Sequence, residues 1–109
     1  MSKSETLIVN EIRGTVNASG LAILWRNNVG KTPSPHGQGW IAYGCGVGSA
    51  DLLGMIIGSA RFLAIECKAE KGKQSAVQIA WGKFVIECGG IYAVCRSAEE
   101  AMEVVRAAV

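Results

Sequence analysis

The chain is short of the residues that most often announce a site. It has a single histidine, His36, and four cysteines at positions 45, 67, 88 and 95, none in a Cys-x-x-Cys pair. Zinc centres draw on closely spaced Cys and His pairs, so that class is set aside. Charge is also scarce: 18% of the residues are charged and the net charge is +2. So small a balance steers the whole molecule only weakly, and any nucleic-acid contact must come from local basic clusters. The apolar runs fall far short of the ~20 residues a membrane span needs. The opening MSKSETLIVN has no apolar centre of the secretion-signal kind. With no paired thiols, the expectation is a cytoplasmic protein with reduced cysteines and no membrane partner.

What remains is a 109-residue chain in which half the residues are hydrophobic. That suits one globular domain spanning residues 1–109. Ser4 is placed to cap a helix over residues 5–18, whose Ile8, Val9, Ile12 and Val16 recur at helical spacing. Gly20 ends it, and LAILW (21–25) reads as a buried strand. Residues 26–49 carry both prolines and many glycines. They read as a long loop with a brief strand at 40–43, and so long a loop in so small a domain is more often functional than filler. Ser75 and Gln78 fit a capping box opening a helix to Cys88 that Gly89-Gly90 stops. A strand at 91–95 and an amphipathic helix at 98–107 follow. This order gives an α/β fold.

Between the loop and the capped helix lie two apolar runs, DLLGMII and RFLAIECK, joined by Gly58-Ser59. That dipeptide suits a tight hairpin. A two-residue turn pairs Ile57 with Ala60 and sets Asp51 opposite Glu66. A four-residue turn sets Asp51 opposite Lys68 and Leu53 opposite Glu66, with all three polar groups still on one face. A three-residue turn would change the parity. Side chains alternate along a strand, so Glu66 and Lys68 share a face that otherwise carries Leu53, Met55, Ile57, Phe62 and Ala64. Opposed carboxylates at ~4.5–5.5 Å Cβ separation repel. A divalent cation such as Mg²⁺ gives them a reason to be together. The competing account is an ion pair of Lys68 with Glu66 or Asp51 at a solvated sheet end.

GVGSADLLG, then IECK beginning fourteen residues after Asp51, then KGKQSAVQ and ECGGIYAV, together resemble the VRR-NUC domain. This is a branch of the PD-(D/E)xK nucleases that occurs in stand-alone phage proteins and inside DNA-repair nucleases. The likeness runs from the ETLIVNEIR helix through WRNNVG to the RSAEEA helix. Ala50 stands where the superfamily often has proline, a position that carries no ligand. The resemblance implies a restriction-endonuclease-like core, a central mixed sheet flanked by helices, in a bacterial or phage-infected cell.

It further implies that Asp51, Glu66 and the carbonyl of Cys67 hold Mg²⁺, with Mn²⁺ able to substitute. Lys68 would orient or deprotonate the attacking water, leaving a 3′-hydroxyl and a 5′-phosphate. Glu5 resembles the family's acid on the first helix, with Glu11 more to the side; a local account of Glu5 is the preference of acids for a helix N-terminus. Gln78 resembles a family glutamine that reaches the active site, against its local use as a cap.

Arg26, Asn27, Lys31, Lys71 and Lys73 would form a DNA-binding rim giving affinity without sequence readout. His36 reads as a loop residue. Trp25, Trp40 and Trp81 lie in or beside apolar segments, which favours core packing over stacking on bases. Met102, Val105 and Val109 would pack on the sheet or on a second copy. The function implied is a homodimeric, structure-specific endonuclease of the Holliday-junction resolvase type. The alternatives are a less selective flap or nicking nuclease and a DNA-binding module that does not cut.

Overall fold

In the computed structural model, which describes residues 3–109, the chain runs α1 (Glu5–Ser19), β1 (Ala22–Arg26), β2 (Gly30–Pro33), β3 (Trp40–Tyr43), β4 (Leu52–Ile56), β5 (Phe62–Cys67), α2 (Ala76–Glu87), β6 (Ile91–Cys95) and α3 (Ala98–Ala107). The first two residues of the N-terminal segment, and of the single domain expected over 1–109, lie outside the described residues. Among the described residues no helix is long and apolar enough to cross a membrane.

Four strands form one mixed sheet in the order β1-β4-β5-β6. The first two pairings are antiparallel and β5–β6 is parallel. A parallel pair needs a crossover, and α2 supplies it. The fold is therefore the α/β arrangement expected, with helices on both faces. Ile8, Val9, Ile12 and Val16 of α1 and Met102 and Val105 of α3 bury one face, against Leu24, Leu52, Ile56, Leu63 and Ile65. The other face holds a smaller cluster, Ala50, Leu53 and Ala64, under Trp81 of α2 and Tyr92 of β6.

The ends of the helices are set locally. Ser4 accepts from Leu7 N at α1, and Ser75 and Gln78 close a reciprocal capping box at α2. Asn17 of α1 does a less obvious job, since its amide donates to Leu24 O at 2.9 Å and accepts from Leu24 N at 2.7 Å. It stands in for a neighbouring strand along the outer edge of β1, where unpaired backbone groups would otherwise be exposed.

The β4–β5 register is the one a two-residue turn demands: Leu52 pairs with Ile65 and Met55 with Phe62. The turn itself is wider. Pairing stops at Ile56 N to Arg61 O, Ala60 N returns to Ile56 O, and Ile57 N is taken by Leu21 O at 3.0 Å. The expected Ile57–Ala60 pair is thus replaced, because the start of β1 recruits Ile57. Gly58 and Ala60 adopt left-handed backbone to close the loop.

Three other expectations change. The stretch 26–49 is no simple loop: β2 and β3 pair as a separate two-stranded hairpin, Gly30 with Tyr43 through Pro33 with Trp40. Trp25 and Trp40 are not in the core, being 47% and 68% exposed. Trp81 packs edge-on against Tyr92, with centroids 6.0 Å apart. Val109 is exposed, whereas Met102 and Val105 are buried as anticipated.

Gly54 lies buried in β4 directly under the backbone of Ile23 on β1, so a Cβ there would run into main chain rather than a movable side chain. Gly54→Ala is expected to cost about 2–3 kcal/mol, the upper range for overpacking. The change should appear as a lower thermal midpoint than that of Gly14→Ala, whose site is open.

Candidate active site

Asp51 immediately precedes β4, Glu66 and Cys67 close β5 and Lys68 follows directly, so the antiparallel register brings them to one end of the sheet. One step past the Leu52–Ile65 pair, Asp51 turns its Oδ2 to accept from Cys67 N at 2.7 Å. Its own carbonyl accepts from Asn27 N at 2.8 Å. The N-terminus of α1 reaches the same end. Carboxylate oxygens of Glu5, Asp51 and Glu66 lie within 4.8 Å of one another, a group able to take a metal ion. Glu11, the other helix-one acid considered, is instead paired with Lys3 at 2.8 Å.

Glu66 is 1% exposed and Lys68 is 8% exposed. Lys68 Nζ stands 4.0 Å from Glu66 Oε1, beyond hydrogen-bond reach. The two form a long ion pair, and it is buried rather than set at a solvated sheet end. Glu66 Oε2 is buried with no hydrogen-bond partner. A buried carboxylate oxygen left unpartnered is costly in a protein interior. Burial first, then the adjoining Asp51 carboxylate, push Glu66 up to about 9. Glu5 adds to the rise and Lys68 opposes it. Proton or cation, something positive has to sit among these oxygens, and the donor set of hard carboxylates fits Mg²⁺ or Mn²⁺.

Beside the cluster opens a cleft of about 620 Å³ lined by Arg26, Asn27, Tyr43, Ser49, Asp51 and Gln78, among others. Gln78 Oε1 accepts from Ser75 N at 2.8 Å in the cap, and the same residue lines this cleft. Asn27 lines the cleft too, but its amide is spent within the chain. Its Nδ2 donates to Ser49 Oγ and Ala50 O, both at 2.8 Å, and its Oδ1 accepts from Cys45 N. Arg26 is exposed at the cleft wall, Lys31 projects from β2, and Lys71 and Lys73 are exposed between β5 and α2. His36 is exposed at the hairpin tip.

One neighbour gave no signal in the sequence. Tyr92 pairs with Ala64 across the parallel β5–β6 ladder, on the face that carries Glu66. Its hydroxyl accepts from Gln74 Nε2 at 2.7 Å. Burial and then the Glu66 charge push it up to about 12, so it stays a neutral phenol beside the acids. Finding it required the register of a parallel pair, which spacing alone does not supply.

A mixed sheet that brings an Asp, then a Glu-x-Lys strand end, then a helix-one Glu to a single point defines a domain of the PD-(D/E)xK nuclease class. The family profile described as VRR-NUC domain matches residues 4–99, which is most of the chain, and the protein belongs to that family. It is accordingly a DNA nuclease domain. Comparison with curated proteins gives no match.

The raised Glu66 carboxyl has a measurable consequence. Between about 4.5 and about 9 the folded protein holds a proton that the unfolded chain has released, so metal-free stability falls as pH rises through this window. A divalent ion replaces that proton. Thermal melts from pH 5 to pH 9 should show a declining midpoint without metal, and Mn²⁺ or Mg²⁺ should raise it most at the alkaline end. A midpoint indifferent to the ion throughout would remove the metal site.

Proposed function

We propose that the protein is a Mg²⁺-dependent, structure-specific endonuclease acting as a homodimer on branched DNA, with four-way junctions as the preferred substrate. The observation that carries the reading is the unpartnered, buried Glu66 Oε2 held against Asp51 and Glu5 with Lys68 alongside. Asp51, Glu66 and Glu5, with the carbonyl of Cys67, would hold the ion. When bound there, a divalent cation supplies Lewis-acid stabilisation of the phosphoryl group and lowers the pKa of water.

The other tasks fall to the chain. Lys68, largely buried and 4.0 Å from Glu66 Oε1, would orient or deprotonate the attacking water and balance charge near the phosphate. Gln78 would orient the strand at the cleft. Arg26, Lys31, Lys71 and Lys73 would contact phosphates, supplying affinity that depends on salt and ignores sequence; Asn27 would hold the cleft wall in place rather than read DNA. The expected products carry a 3′-hydroxyl and a 5′-phosphate.

The homodimer is supported by the face of the sheet that α2 leaves bare. Ile23, Met55 and Phe62 form a row across three strands, with Trp25 beside them and Phe84 of α2 at its end; these five expose 37% to 62% of their surface. None is charged. Together they leave roughly 500 Å² of apolar surface, at the upper end of what a monomer shows. A standard interface takes about 800 Å² from each partner, so this patch forms most of one. A two-fold dimer would present two cutting sites to the symmetric strands of a junction. Sedimentation should give twice the chain mass, shifting to one chain in Phe62→Glu; a wild-type protein sedimenting as a single chain would remove the dimer.

Cleavage is tested with a labelled synthetic four-way junction, a flap and a linear duplex in Mg²⁺. Paired symmetric nicks in the junction are expected, with Asp51→Ala and Lys68→Ala each slowing them by about 10²–10⁴-fold. Equal cutting of all three substrates would replace the resolvase with a less selective nuclease. Binding without cutting by the wild type would leave a DNA-binding module.

A further inference from the structure

The β2–β3 hairpin is the part of the molecule that its own core does not explain. Nearly every residue in it is exposed, and it adds to an elongated shape of 47 × 37 × 26 Å. Its radius of gyration, 14.7 Å, exceeds the ~13 Å of a compact chain this long. Yet its root is held firmly: Asn27 and Ser49 tie both ends together beside Asp51.

Two further observations indicate what the arm faces. The first is charge. Between Glu11 and Asp51 the sequence contains no acidic residue, while Arg26 stands just before the arm and Lys31 lies within it. An arm without a carboxylate next to a carboxylate cluster suits a polyanion.

The second is the seating of Tyr43. Paired residues share a face of a hairpin, so Gly30, Tyr43, Thr32 and Ile41 lie on one side and Lys31, Ala42, Pro33 and Trp40 on the other. Tyr43 lines the cleft that contains Asp51 and Gln78. Its ring and hydroxyl occupy the space where any side chain at position 30 would stand. Gly30 therefore gives the ring a flat bed, and Tyr43 presents it half-exposed at the cleft wall.

We infer that the hairpin is a DNA-holding arm and that Tyr43 is the stacking platform for an unpaired nucleotide next to the phosphate at Asp51. The inference rests on the nuclease reading for the direction in which the strand runs past Asp51. Stacking is indifferent to which base is present, because every base offers a π-face. It discriminates instead by structure: a base at a branch or fork is free to leave its stack, whereas one inside a duplex must first be unstacked. Tyr43 is thus a determinant of preference for branched over linear DNA.

The test is fluorescence anisotropy with a forked oligonucleotide and an intact duplex of equal length, with Ca²⁺ in place of Mg²⁺. Loss of one aromatic stack weakens binding by ~5- to 150-fold. Tyr43→Ala is therefore expected to weaken fork binding about tenfold and duplex binding less than twofold. Tyr43→Phe should bind as wild type. Gly30→Ala, which pushes the ring off its bed, should shift fork binding in the same direction as Tyr43→Ala and gives a second route to the ring should Tyr43→Ala misfold.

Unchanged fork binding in Tyr43→Ala, or equal losses on fork and duplex, would overturn the inference. So would a loss in Tyr43→Phe as large as in Tyr43→Ala, which would assign the contact to the hydroxyl. A fall in sedimenting mass accompanying the loss would make the arm a contact between copies instead. Wild type that binds the fork through Tyr43 but never cuts in Mg²⁺ or Mn²⁺ would keep the arm and remove the nuclease. Cutting by wild type with no effect of Tyr43→Ala would do the reverse.

Discussion

Asp51 Oδ2 accepts the backbone N–H of Cys67, and most of the site depends on that one bond. It ties the residue before β4 to the end of β5, one position beyond the last ladder pair. In doing so it fixes the Asp51 carboxylate against Glu66, which two like charges would otherwise resist. The same residue's carbonyl anchors Asn27, and through Asn27 the root of the hairpin. Sheet register, acidic cluster and cleft wall thus meet at a single aspartate.

The energetic cost of this arrangement is concentrated on Glu66. Its carboxyl is buried, faces two other acids and leaves one oxygen without a partner. The surrounding fold tolerates it because the two neighbouring strands are pinned on the opposite face by α1 and α3, where Leu52, Leu63 and Ile65 are fully buried. A strong core on one side holds a strained polar corner on the other. Sites that bind an ion commonly have this character, since the charge that destabilises the empty site is what the ion neutralises.

Much of this was legible in the sequence where local chemistry decides. Gly58-Ser59 between two apolar runs set the register that joins Asp51 to Glu66, although Ala60 and Ile57 widened the turn. Ser4, and Ser75 with Gln78, marked helix starts by the hydrogen bonds their side chains make. What was hidden depends on surfaces meeting at a distance. β2, four residues of which three are exposed and one is a proline, has no alternation to betray it. Trp25 sits in an apolar strand as a core residue would, but α2 is too far along the sheet to cover it, and only the packed structure shows that. Tyr92 joins the acids through a parallel register that no turn specifies.

The pinned root of the hairpin also separates two kinds of change. Because Asn27 clasps Ser49, Ala50 and Cys45, the chain between them is a closed module whose ends stay put whatever happens at its tip. Lengthening such a segment costs little, about 0.6 kcal/mol for each doubling. The arm's reach and composition are therefore free to drift while β4 and β5 stay fixed. Substrate choice and bond-breaking chemistry can evolve on separate schedules in this one small domain.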